Sequence, residues 1–203
     1  MSSLVELSGA VSELVSVTSR LKPSVDDEGE PTSPEVRFVR DDAALLQLLR
    51  RHRLPTIYES FLRDYSSHDF VDAGLTCGRT RAWIAPVDNL ASVNECYAAS
   101  GFPPRWLVCA TDYEGCYVLD LGRVRDGDCP VLYVAHGGGL QAREVAPSFV
   151  GFLRRIARES ARGQDAPAQP PTLVAAESQG RGRLAVGYVL IGLAALVVIY
   201  MMR

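Results

Sequence analysis

The sequence predicts an α+β domain, a mostly antiparallel sheet with helices packed on it, followed by one C-terminal transmembrane helix. Three observations lead there. The apolar runs Trp106-Leu107-Val108-Cys109-Ala110, Cys116-Tyr117-Val118-Leu119-Asp120-Leu121 and Val131-Leu132-Tyr133-Val134-Ala135 are separated by the turn-like Asp112-Tyr113-Glu114-Gly115 and Arg125-Asp126-Gly127-Asp128, and such short connections join antiparallel strands. Stretches with apolar residues at helical spacing stand before and after these runs. Residues 184–202 form an uncharged run in which 17 of 19 positions are apolar.

In chain order, residues 1–22 place Leu4, Leu7, Val11, Leu14 and Leu21 on one helical face, with Thr18 interrupting the spacing. A coiled-coil seam, a surface-lying helix and a helix docked on the domain all fit this amphipathic segment. Its shortness and Gly9 favour docking. Glu6 and Glu13 argue against a secretory signal. Residues 23–40 carry Asp26, Asp27, Glu28, Glu30 and three prolines, an acidic Pro-rich linker expected to be solvated.

Residues 41–160 form the globular domain. Asp41 and Asp42 cap a helix with Ala44, Leu45, Leu48 and Leu49 on one face, ending before Pro55, and a second amphipathic stretch follows through Tyr58, Phe61, Leu62 and Tyr65. Trp83-Ile84-Ala85-Pro86-Val87 reads as a strand, and residues 89–99 as a helix ended by Gly101 and Pro103-Pro104. After the three strands, residues 145–157 present Phe149, Val150, Phe152, Leu153 and Ile156 at helical spacing, a helix closing over one sheet face.

Residues 161–183, rich in Ala, Gln, Pro and Gly, are expected to form a disordered stalk. The 184–202 run is about 28 Å long as a helix, close to the hydrocarbon thickness of a bilayer. Arg181 and Arg183 precede it, Arg203 follows it, and Tyr188 and Tyr200 lie near its ends. It has no polar face, so a single-pass C-terminal anchor fits it better than a core helix. The flanking arginines place the globular part on the cytoplasmic side. Gly187 and Gly192 are five apart and make no helix-pairing face.

The chemistry of the domain is quieter. A net charge of −3 over 203 residues argues against nucleic-acid binding by bulk charge. Five cysteines, an odd count with no CxxC pair, indicate neither zinc site nor disulfide framework, and the three histidines are scattered. Gly137-Gly138-Gly139 lacks the Lys-Ser/Thr of a phosphate loop and reads as a turn. Asp112, Glu114 and Asp120 stand where turns and strand ends ordinarily carry acids. No catalytic residue, metal ligand or cofactor is assigned.

Five segments in order carry a family resemblance. Leu54-Pro55-Thr56-Ile57-Tyr58-Glu59-Ser60-Phe61-Leu62 resembles the "LP-x-x-Y-x-x-F-L" helix start of the SUKH superfamily, the group of yeast cell-wall-synthesis regulators and bacterial toxin-immunity proteins. Residues 89–97 are similar to its "L…N-x-x-Y" helix, 102–110 to its "F-P…W-L-x-x-A" strand, 112–120 to "D-x-x-G…x-x-L-D", and 148–153 to its closing "S-F-x-x-F-L". Ser66-Ser67-His68 stands where the family often has Asn-Gly. The resemblance spans residues 41–158 and implies a non-catalytic protein-binding module, an immunity protein that neutralises a polymorphic toxin by contact. The alternative is a membrane-anchored adaptor in envelope synthesis or signalling, and an enzyme is a third class. Aromatic and arginine side chains are the usual interface anchors, which makes Arg105, Tyr113, Trp83 and Trp106 the candidate partner-binding residues, the tryptophans being better suited to the core.

Overall fold

A computed structural model describes residues 2–21, 24–25, 31–32, 35–78, 80–137 and 139–165. It is an α+β fold around a five-stranded antiparallel meander. Helix α1 (Ser2–Leu21) leads to a two-residue backbone pairing of β1 (Ser24–Val25) with β2 (Pro31–Thr32). Helices α2 (Asp42–Arg51), α3 (Thr56–Asp64) and the single turn α4 (Asp69–Asp72) follow, then the miniature hairpin β3 (Thr76–Cys77) and β4 (Thr80–Arg81). The main sheet is β5 (Trp83–Ile84), β6 (Trp106–Thr111), β7 (Gly115–Asp120), β8 (Val131–Ala135) and β9 (Ala142–Ala146), neighbours in that order, with α5 (Val87–Ala99) between β5 and β6 and α6 (Phe149–Asp165) after β9.

Alternation along the strands buries both faces. Leu107, Cys109, Tyr117, Leu119 and Val131 join the helices α1, α3 and α6 in the larger core, while Trp106, Val108, Cys116, Val118, Leu132 and Val134 form a second cluster under Val93, Tyr97 and Phe102. The β6–β7 ladder shifts register between Val108 and Ala110, so Cys109 and Ala110 both fall on the larger core. The buried Asn94 amide sits beside this irregularity. Its Oδ1 accepts from Val108 N at 2.8 Å and its Nδ2 donates to Val108 O at 3.1 Å, satisfying backbone groups that a displaced ladder leaves.

The amphipathic N-terminal segment docks on the domain. Leu7, Ala10, Val11, Leu14 and Val17 are buried, α1 packs chiefly along α6, and Gly9 lies on the open side with space around it. Thr18, which breaks the apolar spacing, nevertheless faces inward and is fully buried. Helix α1 therefore belongs to the same core as residues 41–160 rather than standing apart on a tether. The linker expectation also needs correction at its second half. Arg37 N donates to Asp69 Oδ2 at 2.7 Å, Val39 N donates to Ser66 O at 2.7 Å, and Phe38 stands edge-on to Tyr65, so residues 35–40 are bound to the domain.

The cap expected at the start of α2 is in place. Ala44 N donates to Asp41 Oδ1, the N-cap of α2, an interaction of about 1 kcal/mol. The helix expected over 145–157 starts later and runs further. Val145 and Ala146 belong to the edge strand β9, Pro147 cannot extend its ladder, and Ser148 Oγ accepts from Gly151 N at 3.0 Å to open α6, which continues through Asp165 into the expected stalk. Asp128, 21 residues before Phe149, accepts from Phe149 N and Val150 N at the same helix end. Phe149 is fully buried with its ring 4.8 Å from Tyr58 and 5.0 Å from Phe61, which joins α6 to α3. Among the described residues no helix is long and apolar enough to cross a membrane, and residues 184–202, like 166–183, lie outside them.

Candidate functional site

The four candidate residues separate into two pairs at opposite ends of β6. Trp83 lies on the edge strand β5, which pairs with β6 through Trp83 opposite Thr111. That register sets its ring beside the β6–β7 turn, where it meets Tyr113 edge-to-face, centroids 4.5 Å apart at 85°. Trp83 is half-buried and Tyr113 is 74% exposed. Arg105 and Trp106 stand at the start of β6, about 17 Å away at 3.3 Å per residue. Trp106 is a core residue, 9% exposed, edge-on to Phe102 at 5.9 Å, and it closes one side of a cavity of about 230 Å³ between α2 and α5. It is not available to a partner as an anchor.

The turn carrying Tyr113 is held by Asp112. This carboxylate is 5% exposed and accepts four hydrogen bonds, from Thr80 Oγ1 at 2.7 Å, Tyr117 Oη at 3.1 Å, Tyr133 Oη at 3.2 Å and Glu114 N at 2.8 Å. A buried anion needs this degree of compensation. The phenols stay protonated as donors, Tyr133 being pushed up to about 12 by burial first and then by the Asp112 charge, and Tyr117 being raised by burial first. Gly115 completes the turn because a side chain there would overlap the Val134 carbonyl and the Tyr133 ring. Backbone bonds from Asp112 N to Gly115 O and from His136 N to Glu114 O tie the turn to its own hairpin and to the end of β8.

At the opposite end Asp120 is 6% exposed but differently served. Arg123 Nε donates to it at 2.8 Å and Gly122 N at 3.1 Å, while Arg105 Nε stands at 3.9 Å. Asp112, in the turn before β7, and Asp120, at its C-terminal end, lie at opposite ends of the strand and do not form a carboxylate pair. Beside the C-terminal end of α2 lies an open groove of about 480 Å³ lined by Leu54, Pro104, Leu121 and Val124 together with Arg51, His52 and Arg53. In the sequence residues 51–53 stand between a helix end and Pro55, and their clustered basic side chains are the signal that singles them out.

Ser66 and Ser67 hold the loop after α3. Ser66 Oγ accepts from Val87 N at the start of α5, and Ser67 Oγ donates to Arg37 O and accepts from Asp69 N. The cysteines are all free, Cys96 exposed and the others buried. Burial raises the thiols of Cys77, Cys109, Cys116 and Cys129, the last two to about 12. Among the described residues no group of three His, Cys, Asp or Glu is placed to hold a metal ion.

No protein-family model matches the chain, and no curated protein matches it.

Proposed function

We propose that this chain is a non-catalytic protein-recognition module carried on a membrane by residues 184–202, with the Trp83–Tyr113 end of the sheet as its contact surface. The observation that carries this reading is the Tyr113 ring, largely exposed yet braced against Trp83 and seated on a turn locked by Asp112. A rigid aromatic side chain gives contact area at small entropic cost, which is why such residues anchor interfaces. The resemblance to SUKH immunity proteins makes a polymorphic toxin domain the proposed partner.

The test is capture from the native membrane with the intact chain as bait, beside Tyr113→Ala and a chain lacking residues 184–203. A toxin domain recovered stoichiometrically, bound at least tenfold more weakly by Tyr113→Ala in a purified titration, supports the proposal. Undiminished affinity in Tyr113→Ala removes this surface from the interface. Envelope or signalling proteins held only by the anchored bait replace the immunity reading with the adaptor reading.

A further inference from the structure

Helix α6 carries a basic stripe on its outer side. Arg154, Arg158 and Arg162 stand four residues apart and fall within about 80° of one another around the axis, opposite the arc of Phe152, Leu153, Ile156 and Ser160 that enters the core. Arg158 and Arg162 are exposed and Arg154 is half-buried. Asp165, the last residue of the helix, is the only acid on the same arc. The other acid of α6, Glu159, is engaged elsewhere, pairing with Arg155 Nε at 2.8 Å and accepting from Gly78 N.

Helix α1 widens this basic face. Its exposed Arg20 and Arg158 of α6 line one shallow, open groove of about 460 Å³ between the two helices, together with the apolar Val17, Ala157 and Ala161. Glu13 is the one carboxylate that lines it. None of the four arginines has a carboxylate within 4 Å among the described residues. Arg20 Nε donates to Ser16 O at 3.1 Å and Arg158 Nε to Arg154 O at 3.3 Å, which lays each guanidinium along its own helix.

The order of the chain sets what this face can reach. Helix α6 ends at Asp165, and only residues 166–183 separate it from the 184–202 run. A connection of that length spans at most about 65 Å, so the stripe is kept near the bilayer that residues 184–202 are proposed to enter, at the effective concentration of an intramolecular partner. We infer that Arg20, Arg154, Arg158 and Arg162 form a surface that lies on anionic lipid headgroups beside the anchor. Guanidinia recognise phosphate and carboxylate oxygens bidentately, and each arginine brought to an anionic bilayer strengthens adsorption about fivefold. Nucleic acid is the poorer fit, because the groove offers no aromatic ring for base stacking and the chain as a whole is anionic at −3. The inference rests on the anchoring reading of residues 184–202 and is independent of Tyr113.

The experiment reconstitutes the full chain, with Cys96→Ser and Ser12→Cys to carry an environment-sensitive dye in the groove, into vesicles of phosphatidylcholine with and without one-third phosphatidylserine. Vesicle flotation reads the anchor, and dye emission reads contact of this face with lipid. The expected result is flotation with both vesicles and emission at least doubled on phosphatidylserine, reversed by about 0.5 M salt. Arg154→Glu with Arg158→Glu and Arg162→Glu is expected to abolish the increase, and Tyr113→Ala or Arg143→Glu on β9 to leave it unchanged. The milder triple change to Gln lowers it at least threefold should the reversal fail to fold. Flotation without a phosphatidylserine-dependent increase, or an increase that survives the Gln variant, overturns this inference alone. Failure to float with phosphatidylcholine overturns the anchor and this inference together. A thymidine oligonucleotide or hexaglutamate peptide that reverses the increase at less total charge than the phosphatidylserine present assigns the face to that partner and overturns the lipid reading.

Discussion

The two ends of β6 and β7 each bury an aspartate, and the way each is satisfied differs. Asp112 is enclosed by neutral donors from three separated elements, Thr80, Tyr117 and Tyr133, together with the turn's own Glu114 N–H. Asp120 is served by one backbone N–H and the guanidinium of Arg123, a side chain 46% exposed that also reaches Glu144. The first arrangement welds distant strands and yields a stiff turn with an aromatic on its tip. The second satisfies a local turn with a solvated partner of modest energy, and a second arginine, Arg105, stands at 3.9 Å from the same carboxylate. A rigid neutral network and a solvated ion-pair cluster therefore stand at opposite ends of one sheet.

The largest expected effect is a contrast between aspartates. Asp112→Ala strands two phenols, a hydroxyl and a backbone N–H, and the expected loss is about 3 kcal/mol in urea unfolding, against about 1 kcal/mol for Asp120→Ala. Equal losses would abolish the distinction drawn between the two ends. The same variant has a local signature. Cys77, whose carbonyl lies 3.4 Å from Tyr117 Oη, is expected to react faster with a thiol reagent in Asp112→Ala, while Cys129 at the far end stays as slow as in the parent. Simultaneous exposure of both thiols would mean that the whole fold, not one end, depends on Asp112.

Next in size is Asp128→Ala, which removes the acceptor for the Phe149 and Val150 N–H groups at the start of α6; about 1 kcal/mol of stability is expected to go, with the Trp83–Tyr113 end unchanged in near-ultraviolet dichroism. The smallest effects are in pH. His52 is lowered in the folded chain, so the unfolded chain takes up the proton first as pH falls below about 6.5, and stability declines toward acid until the folded imidazole also titrates. His52→Gln is expected to flatten that limb. Tyr133 is raised to about 12, so between pH 10 and 12 the unfolded chain loses its proton first and stability falls as pH rises. Tyr133→Phe is expected to reduce this alkaline slope while leaving the acid limb untouched; a change in both would show that the ends are coupled.

Much of the architecture is legible without coordinates because its signals are local. The Asp41 cap, the 125–128 reversal and the alternation along β6, β7 and β8 each depend on residues within one turn or one strand. The edge strand β9 is not legible. Ala142-Arg143-Glu144-Val145-Ala146 has no apolar alternation, being exposed over most of its length, and Val145 happens to stand four residues before Phe149, which continues the helical periodicity into it. The candidate residues show the same division. Exposed aromatics and arginines can be nominated by type, but the meeting of Trp83 with Tyr113 depends on a pairing across α5, and Asp112 meets Thr80 over 32 residues.

What the sequence determined by itself is the alternation of apolar and polar positions, the turn chemistry and the caps, and hence an α+β chain with antiparallel hairpins. Tertiary structure decided that Thr18 is buried, that residues 35–40 bind the domain, and that Trp106 is core while Tyr113 is surface. The physical reason is range. Backbone conformation answers to neighbours a few residues away, whereas burial and charge compensation are settled by partners tens of residues distant, whose positions exist only once the sheet has chosen its register.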